Sequence, residues 1–105
     1  MDTTMKMKRF EIVIRKDKFS RIANLLTKTD VRGYTVIKQA GGLGSRGVVD
    51  PDDVILDDEN VIVILACLEE KAQKVLVEIQ PILKELGGMC LISDCLWLER
   101  SAVSY

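Results

Sequence analysis

Seven apolar residues in unbroken succession, Val61-Ile62-Val63-Ile64-Leu65-Ala66-Cys67, set the strongest limit on what this chain can become. The run is rich in β-branched residues and has the length of a strand rather than a helix. Successive strand residues point to opposite faces of a sheet, so such a run needs cover on both sides.

The flanking pattern supplies that cover for one face. Phe10-Glu11-Ile12-Val13-Ile14 reads as a first strand, with Met1, Met5 and Met7 as a frayed start before it. Asp17 is the expected N-cap of a helix whose apolar positions are Phe19, Ile22, Ala23, Leu25 and Leu26, ending near Thr29-Asp30. Gly33 introduces a second strand, Tyr34-Thr35-Val36-Ile37. After the third strand, Glu69 to Leu86 predicts a helix with Ala72, Val75, Leu76, Ile79, Ile82, Leu83 and Leu86 on one stripe. Pro81 is expected to kink it or split off its last turn, and Gly87-Gly88 to stop it. Met89-Cys90-Leu91-Ile92 is a fourth strand, with Leu96-Trp97-Leu98 continuing it after Asp94.

The order is strand, helix, strand, strand, helix, strand: an α+β, ferredoxin-like βαββαβ sandwich in one domain, residues 1–105. Two helices cover only one face of a four-stranded sheet. The third and fourth strands are apolar on both faces, so the second face is expected to pack on other copies of the chain in a closed symmetric oligomer.

Composition narrows the function. With 48% hydrophobic and 30% charged residues the chain is a folded globular protein. A net charge of -1, with the signs interleaved, offers no basic face for nucleic acid. Charges interrupt every candidate membrane span, and Met1 to Arg9 lacks the apolar core of a signal peptide, so a cytoplasmic location is expected. Cys67, Cys90 and Cys95 lie in apolar runs and read as reduced core thiols; the spacing of the last two fits no common zinc or redox motif. The chain has no histidine, which excludes Ser–His and Cys–His pairs within it. No carboxylate or lysine pair takes their place, so no catalytic residue, metal ligand or required cofactor is assigned.

From Gly41 to about Asp58 the periodicity stops. Glycines 41, 42, 44 and 47 come first, then Asp50-Pro51-Asp52-Asp53 and Asp57-Asp58-Glu59. A loop this long in a small domain is usually functional. Its acidic part could offer oxygen ligands to Ca²⁺ or Mg²⁺, but the spacing is not that of an EF-hand, and a solvated acidic loop is the reading adopted. Lys6, Lys8 and Arg9 are read as solubilising charges edging the first strand. Trp97 is assigned to packing against the core or a neighbouring copy. The candidate site is the loop base, Gly41-Gly42-Leu43-Gly44-Ser45-Arg46-Gly47 with Thr35 before it. Glycines let backbone amides approach an anion, Ser45 supplies a hydroxyl and Arg46 a forked donor for phosphate or carboxylate. The run leaves a strand without entering a helix and lacks Gly-Lys-Ser/Thr, so it is neither a dinucleotide fingerprint nor a P-loop. A plain flexible connection with glycines for turns stands beside the anion-binding reading.

The stretch GYTVIKQAGGLGSRG resembles the second strand and loop base of PII signalling proteins, where a Gly-x-Thr-Val strand leads into a Gly-Phe-Gly-type turn. It is most similar to the PII-like branch associated with inorganic-carbon uptake, with Gly-Tyr-Thr-Val followed by Gly-x-Gly-Ser-Arg. The resemblance implies a homotrimer with nucleotide sites in the clefts between subunits, beneath the long T-loop, here about residues 41–58. It assigns Thr35, Gly41, Gly42, Leu43, Gly44, Ser45 and Arg46 to the nucleotide site and places Ala66 near the adenine. Gly87 and Gly88 would face a neighbour's phosphates, and Arg100 would reach them from beyond the fourth strand. Gly44, Ser45 and Arg46 are also the candidate holders of bicarbonate.

The departures refine the expectation. A lysine of classical members becomes Met89, a third-strand carboxylate becomes Ile64, and the loop is shorter and lacks the tyrosine modified in nitrogen signalling. AMP or ADP is therefore expected over Mg-ATP. The function implied is a regulator whose T-loop engages a partner, a membrane transporter for inorganic carbon. The alternative is another ferredoxin-like binding module of the ACT or CutA kind with a different ligand. A small acylphosphatase-like enzyme would need an anion-cradling loop after the first strand, where this chain has Arg15-Lys16-Asp17-Lys18.

Overall fold

The first strand begins well before Phe10: β1 runs Thr4–Arg15, Met7 and Phe10 are both buried across the Lys8-Arg9 pair, and Met5 and Met7 belong to the strand, so the start is not frayed. The computed structural model describes residues 3–40, 42–44, 47–49 and 59–99. After β1 come α1 (Phe19–Lys28), β2 (Thr35–Ala40), β3 (Gly42–Gly44), β4 (Gly47–Val49), β5 (Asn60–Cys67), α2 (Glu69–Leu86) and β6 (Met89–Leu98). The main sheet has the order β2-β5-β1-β6, every pair antiparallel, which is the ferredoxin-like arrangement. β1 is central in this sheet, so Lys6, Lys8 and Arg9 do not edge it; Lys8 pairs with Asp94 and Arg9 with Glu11.

Both helices cover one face. Phe10, Ile12 and Ile14 of β1 and Val61, Val63, Leu65 and Cys67 of β5 are buried against Ile22, Leu25 and Leu26 of α1 and Ala72, Val75 and Ile79 of α2. Each large side chain removed from water here contributes roughly 1.5–3 kcal/mol. Leu76, placed on the α2 stripe by spacing, instead faces solvent. Arg21–Glu85 and Lys28–Glu78, both at 3.3 Å, link the two helices along their exposed edge.

The helix ends depart from expectation in instructive ways. A short 3-10 turn, Lys16–Lys18, precedes α1, and the cap position falls on Lys18 without a side-chain cap. Asp17 does not cap because its carboxylate is held by Arg15, through Nε at 3.1 Å and Nη2 at 3.2 Å. At the other end Asp30 adopts φ +62°, a left-handed conformation that disfavours a Cβ. Pro81 does not split α2, which is continuous to Leu86. Val77, whose carbonyl loses its amide partner at Pro81, belongs to an exposed position where water can serve instead. Gly87 (φ +78°) and Gly88 (φ +95°) end the helix as expected, Gly87 donating its N–H to the Leu83 carbonyl at 2.8 Å. β6 then runs without interruption through Asp94 to Leu98.

Candidate functional site

The site is built where β2 leaves the sheet and β5 returns. Thr35 lies opposite Ile64, Ile37 opposite Ile62, and Ala40 opposite Asn60, with a register shift between Ile37 and Ala40. Such an irregularity bends a strand and re-aims the chain beyond it. Beyond it β3 and β4 pair as a small antiparallel ribbon, Gly42 with Val49, Leu43 with Val48 and Gly44 with Gly47. The loop base is thus a hairpin stem, not the wholly structureless connection its glycines suggest.

Directly opposed residues share a face, so the rows across the sheet can be read off its register. Ile37, Ile62, Val13 and Met89 form one row, and Thr35, Ile64, Glu11 and Leu91 the next. Ala66, Arg9 and Ser93 form the third. All lie on the face away from the helices. Thr35 and Ala66 are therefore brought together, neighbours along the β2 edge. Gly87 and Gly88 are not with them. They sit at the head of β6, the opposite edge, three strand spacings of about 4.8 Å or roughly 14 Å across. Gly41, Ser45, Arg46 and Arg100 lie outside the described residues, as do residues 50–58 of the acidic segment.

Gly88 has a steric reason of its own. A Cβ there would lie 2.6 Å from the carbonyl oxygen of Val13, so only glycine lets the turn close down on β1. The face is apolar toward the Met89 end, polar where Arg9, Glu11 and Ser93 lie, and uncovered by any element among the described residues: Ile37 is 46%, Met89 51% and Leu91 53% exposed. Ile62, Ile64 and Val13 between them are half-buried.

Glu59 is the residue that sequence reasoning missed. Its pattern groups it with the solvated acidic loop, yet it is 4% exposed. The Lys16 amide donates to its carbonyl at 2.8 Å, and the Lys16 ammonium lies 4.0 Å from its carboxylate. Its one signal in the sequence is its position, next to the strand it enters rather than out in the acidic run.

Elsewhere the chemistry is quiet. The cysteines are free, and burial pushes the Cys90 thiol up to about 11 and raises Cys67 as well, so neither is primed as a nucleophile. Cys90 and Cys95 are only partly buried, unlike the fully enclosed thiols expected. A cleft of about 440 Å³ lies at the other end of the sheet, lined by Lys6, Lys8, Glu69, Asp94 and Leu96, and contains none of the candidate nucleotide residues. Among the described residues no cluster of His, Cys, Asp or Glu is placed to hold a metal ion, and no helix is long and apolar enough to cross a membrane.

The family model for nitrogen regulatory protein P-II matches residues 7–100. This chain belongs to the P-II family. The UPF0166 protein of Methanocaldococcus jannaschii is 32% identical over 100 residues, covering 87% of this chain and 91% of that protein. Among solved structures, CPII, a nitrogen regulatory PII-like protein from Thiomonas intermedia K12 bound to ADP, AMP and bicarbonate, matches with a TM-score of 0.83 at 25% identity. That match covers 91% of this chain and 92% of CPII. The GlnK–ATP complex of B. subtilis shares the fold at a TM-score of 0.62 and 18% identity, over 86% of this chain and 82% of GlnK. P-II membership removes the ACT and CutA alternatives.

Proposed function

We propose that this P-II family member is a nucleotide-responsive regulator that assembles as a homotrimer and binds an adenine nucleotide between subunits. The observation that carries this reading is the division of the site. Thr35, Ala66 and the β3–β4 stem lie on one sheet edge, and the Gly87-Gly88 turn on the other. Two chains packed through their open faces would bring the two halves onto one ligand. The apolar side chains of Val13, Ile62, Ile64 and Leu91 supply the adhesive surface.

Within that cleft Thr35, Gly41, Gly42, Leu43, Gly44, Ser45, Arg46 and Ala66 of one subunit would face Gly87, Gly88 and Arg100 of the next. AMP and ADP are the favoured ligands, with bicarbonate as a second ligand near Gly44, Ser45 and Arg46. CPII binding ADP, AMP and bicarbonate supports this choice. The nucleotide's contacts would shift the T-loop's population between forms that do and do not engage a partner. That partner is proposed to be a membrane transporter for inorganic carbon, approached from the cytoplasm. No catalytic step is assigned.

Calorimetric titration with AMP, ADP, ATP and cyclic AMP, with and without bicarbonate, tests the reading. Micromolar binding of AMP or ADP is the expected result. Tight ATP binding with AMP and ADP inert would overturn the ligand assignment, and no binding at all would overturn the function.

A further inference from the structure

We propose that Arg9 and Glu11 select the partner of the open face: each takes its counter-charge from a second copy of this chain, so the pair fixes which surface packs there and in what register. The inference rests on the assembly reading above and deepens it by naming the residues that fit the face to its own copies.

The position comes first. Arg9 and Glu11 lie two residues apart on β1, an inner strand of the sheet, and both belong to the face away from the helices. Glu11 stands between Ile64 of β5 and Leu91 of β6, with Val13 next on that face along its own strand. Arg9 stands between Ala66 and Ser93. A carboxylate is thus set among apolar neighbours, one row from a guanidinium. Even in the single chain the Arg9 and Glu11 side chains are only 38% and 30% exposed. A layer packed across these rows would take the remaining water from both.

The energetics decide the partner. Removing water from a carboxylate or a guanidinium is costly unless the charge is paired and its remaining hydrogen-bonding capacity is met. Within the chain Arg9 Nη2 lies 3.6 Å from Glu11 Oε1, an ion pair longer than a hydrogen bond. The forked donor and the carboxylate oxygens therefore keep capacity for further partners. A wholly apolar partner would bury the pair half-satisfied. A partner of one charge sign would match one group and repel the other. A second copy brings a carboxylate and a guanidinium at the same spacing, beside the same Val13, Ile62, Ile64 and Leu91. Complementarity of this kind supplies specificity and register more than raw affinity.

Native mass spectrometry over a dilution series tests this on the full-length wild type, Arg9→Glu, Glu11→Arg and the double reversal Arg9→Glu/Glu11→Arg, with circular dichroism reporting that each chain is folded. The expected outcome is at least about tenfold weaker association in each single reversal, and recovery in the double reversal, which restores opposite charges in exchanged places. Arg9→Gln and Glu11→Gln replace any reversal that does not fold; each leaves one charge without its counter-charge and should weaken association in the same direction, by less. Single variants that associate within about twofold of wild type, or a double reversal no better than the single ones, would overturn the role of the pair. A wild type that stays a single chain throughout the series would instead overturn the assembly reading on which it rests.

Discussion

The two faces of one sheet, made from the same strands, have different fates. On the helix side Phe10, Ile12, Val63 and Leu65 are sealed from water. On the far side Val13, Ile62, Ile64 and Leu91 are apolar but only partly covered, with Arg9 and Glu11 among them. The first face is complete within the chain, and its residues determine whether the chain folds. On the reading proposed above, the second is completed by another copy packed on it, and its residues would then set the assembly and the ligand cleft.

That contrast can be broken from either side. The largest effect belongs to the closed face: Phe10→Ala should destabilise by about 3–5 kcal/mol, read by denaturant unfolding, because the cavity has no room to collapse between sheet and helices. A charge on the open face should act differently. Leu91→Asp is expected to leave the monomer fold intact while lowering the mass measured by light scattering to that of single chains; an unchanged mass would show that this face is not the one that assembles.

Gly88→Ala sits on the boundary between the two. Its Cβ would meet the Val13 carbonyl oxygen at 2.6 Å, in a backbone region with φ +95°. It should cost about 1–3 kcal/mol in thermal unfolding, and nucleotide binding should weaken with it. Asp30→Gly, remote from both faces, should raise stability by up to about 1 kcal/mol by relieving the left-handed residue after α1.

The smallest effect concerns the exposed Lys8–Asp94 pair on the β1–β6 ribbon. The hydrogen bond and charge of Lys8 hold the Asp94 carboxyl below its ordinary range. Its contribution is therefore present above the unfolded carboxylate pKa and is lost as pH falls through the lowered folded value. Asp94→Asn should slightly flatten the acid limb of a stability–pH curve, and an identical curve would show that the pair is inert.

Much of this architecture is legible in the sequence because it depends on periodicity. The seven-residue apolar run, the Ile22-Leu25-Leu26 stripe and the Gly87-Gly88 stop each translate directly into an element. The features that stay hidden depend on partners distant in sequence or on competing local contacts. Asp17 reads as a cap until Arg15 is seen to hold it, and Glu59 reads as part of an acidic run until the Lys16 backbone draws it in. β1 looks short because Lys6 and the adjacent Lys8-Arg9 break the apolar pattern, while the pairing with β6 carries the strand back to Thr4. The loop-base residues are recognisable by resemblance, but the placement of Thr35 and of Gly87-Gly88 on opposite sheet edges comes from the strand order.

Native mass spectrometry of the wild-type protein with ADP tests the central claim most directly, since it reads assembly and ligand together. The account predicts a trimer carrying up to one ADP per chain, with no ADP on any single chain present. A monomer that binds ADP on its own would contradict it, because the two halves of the site would then have met within one chain.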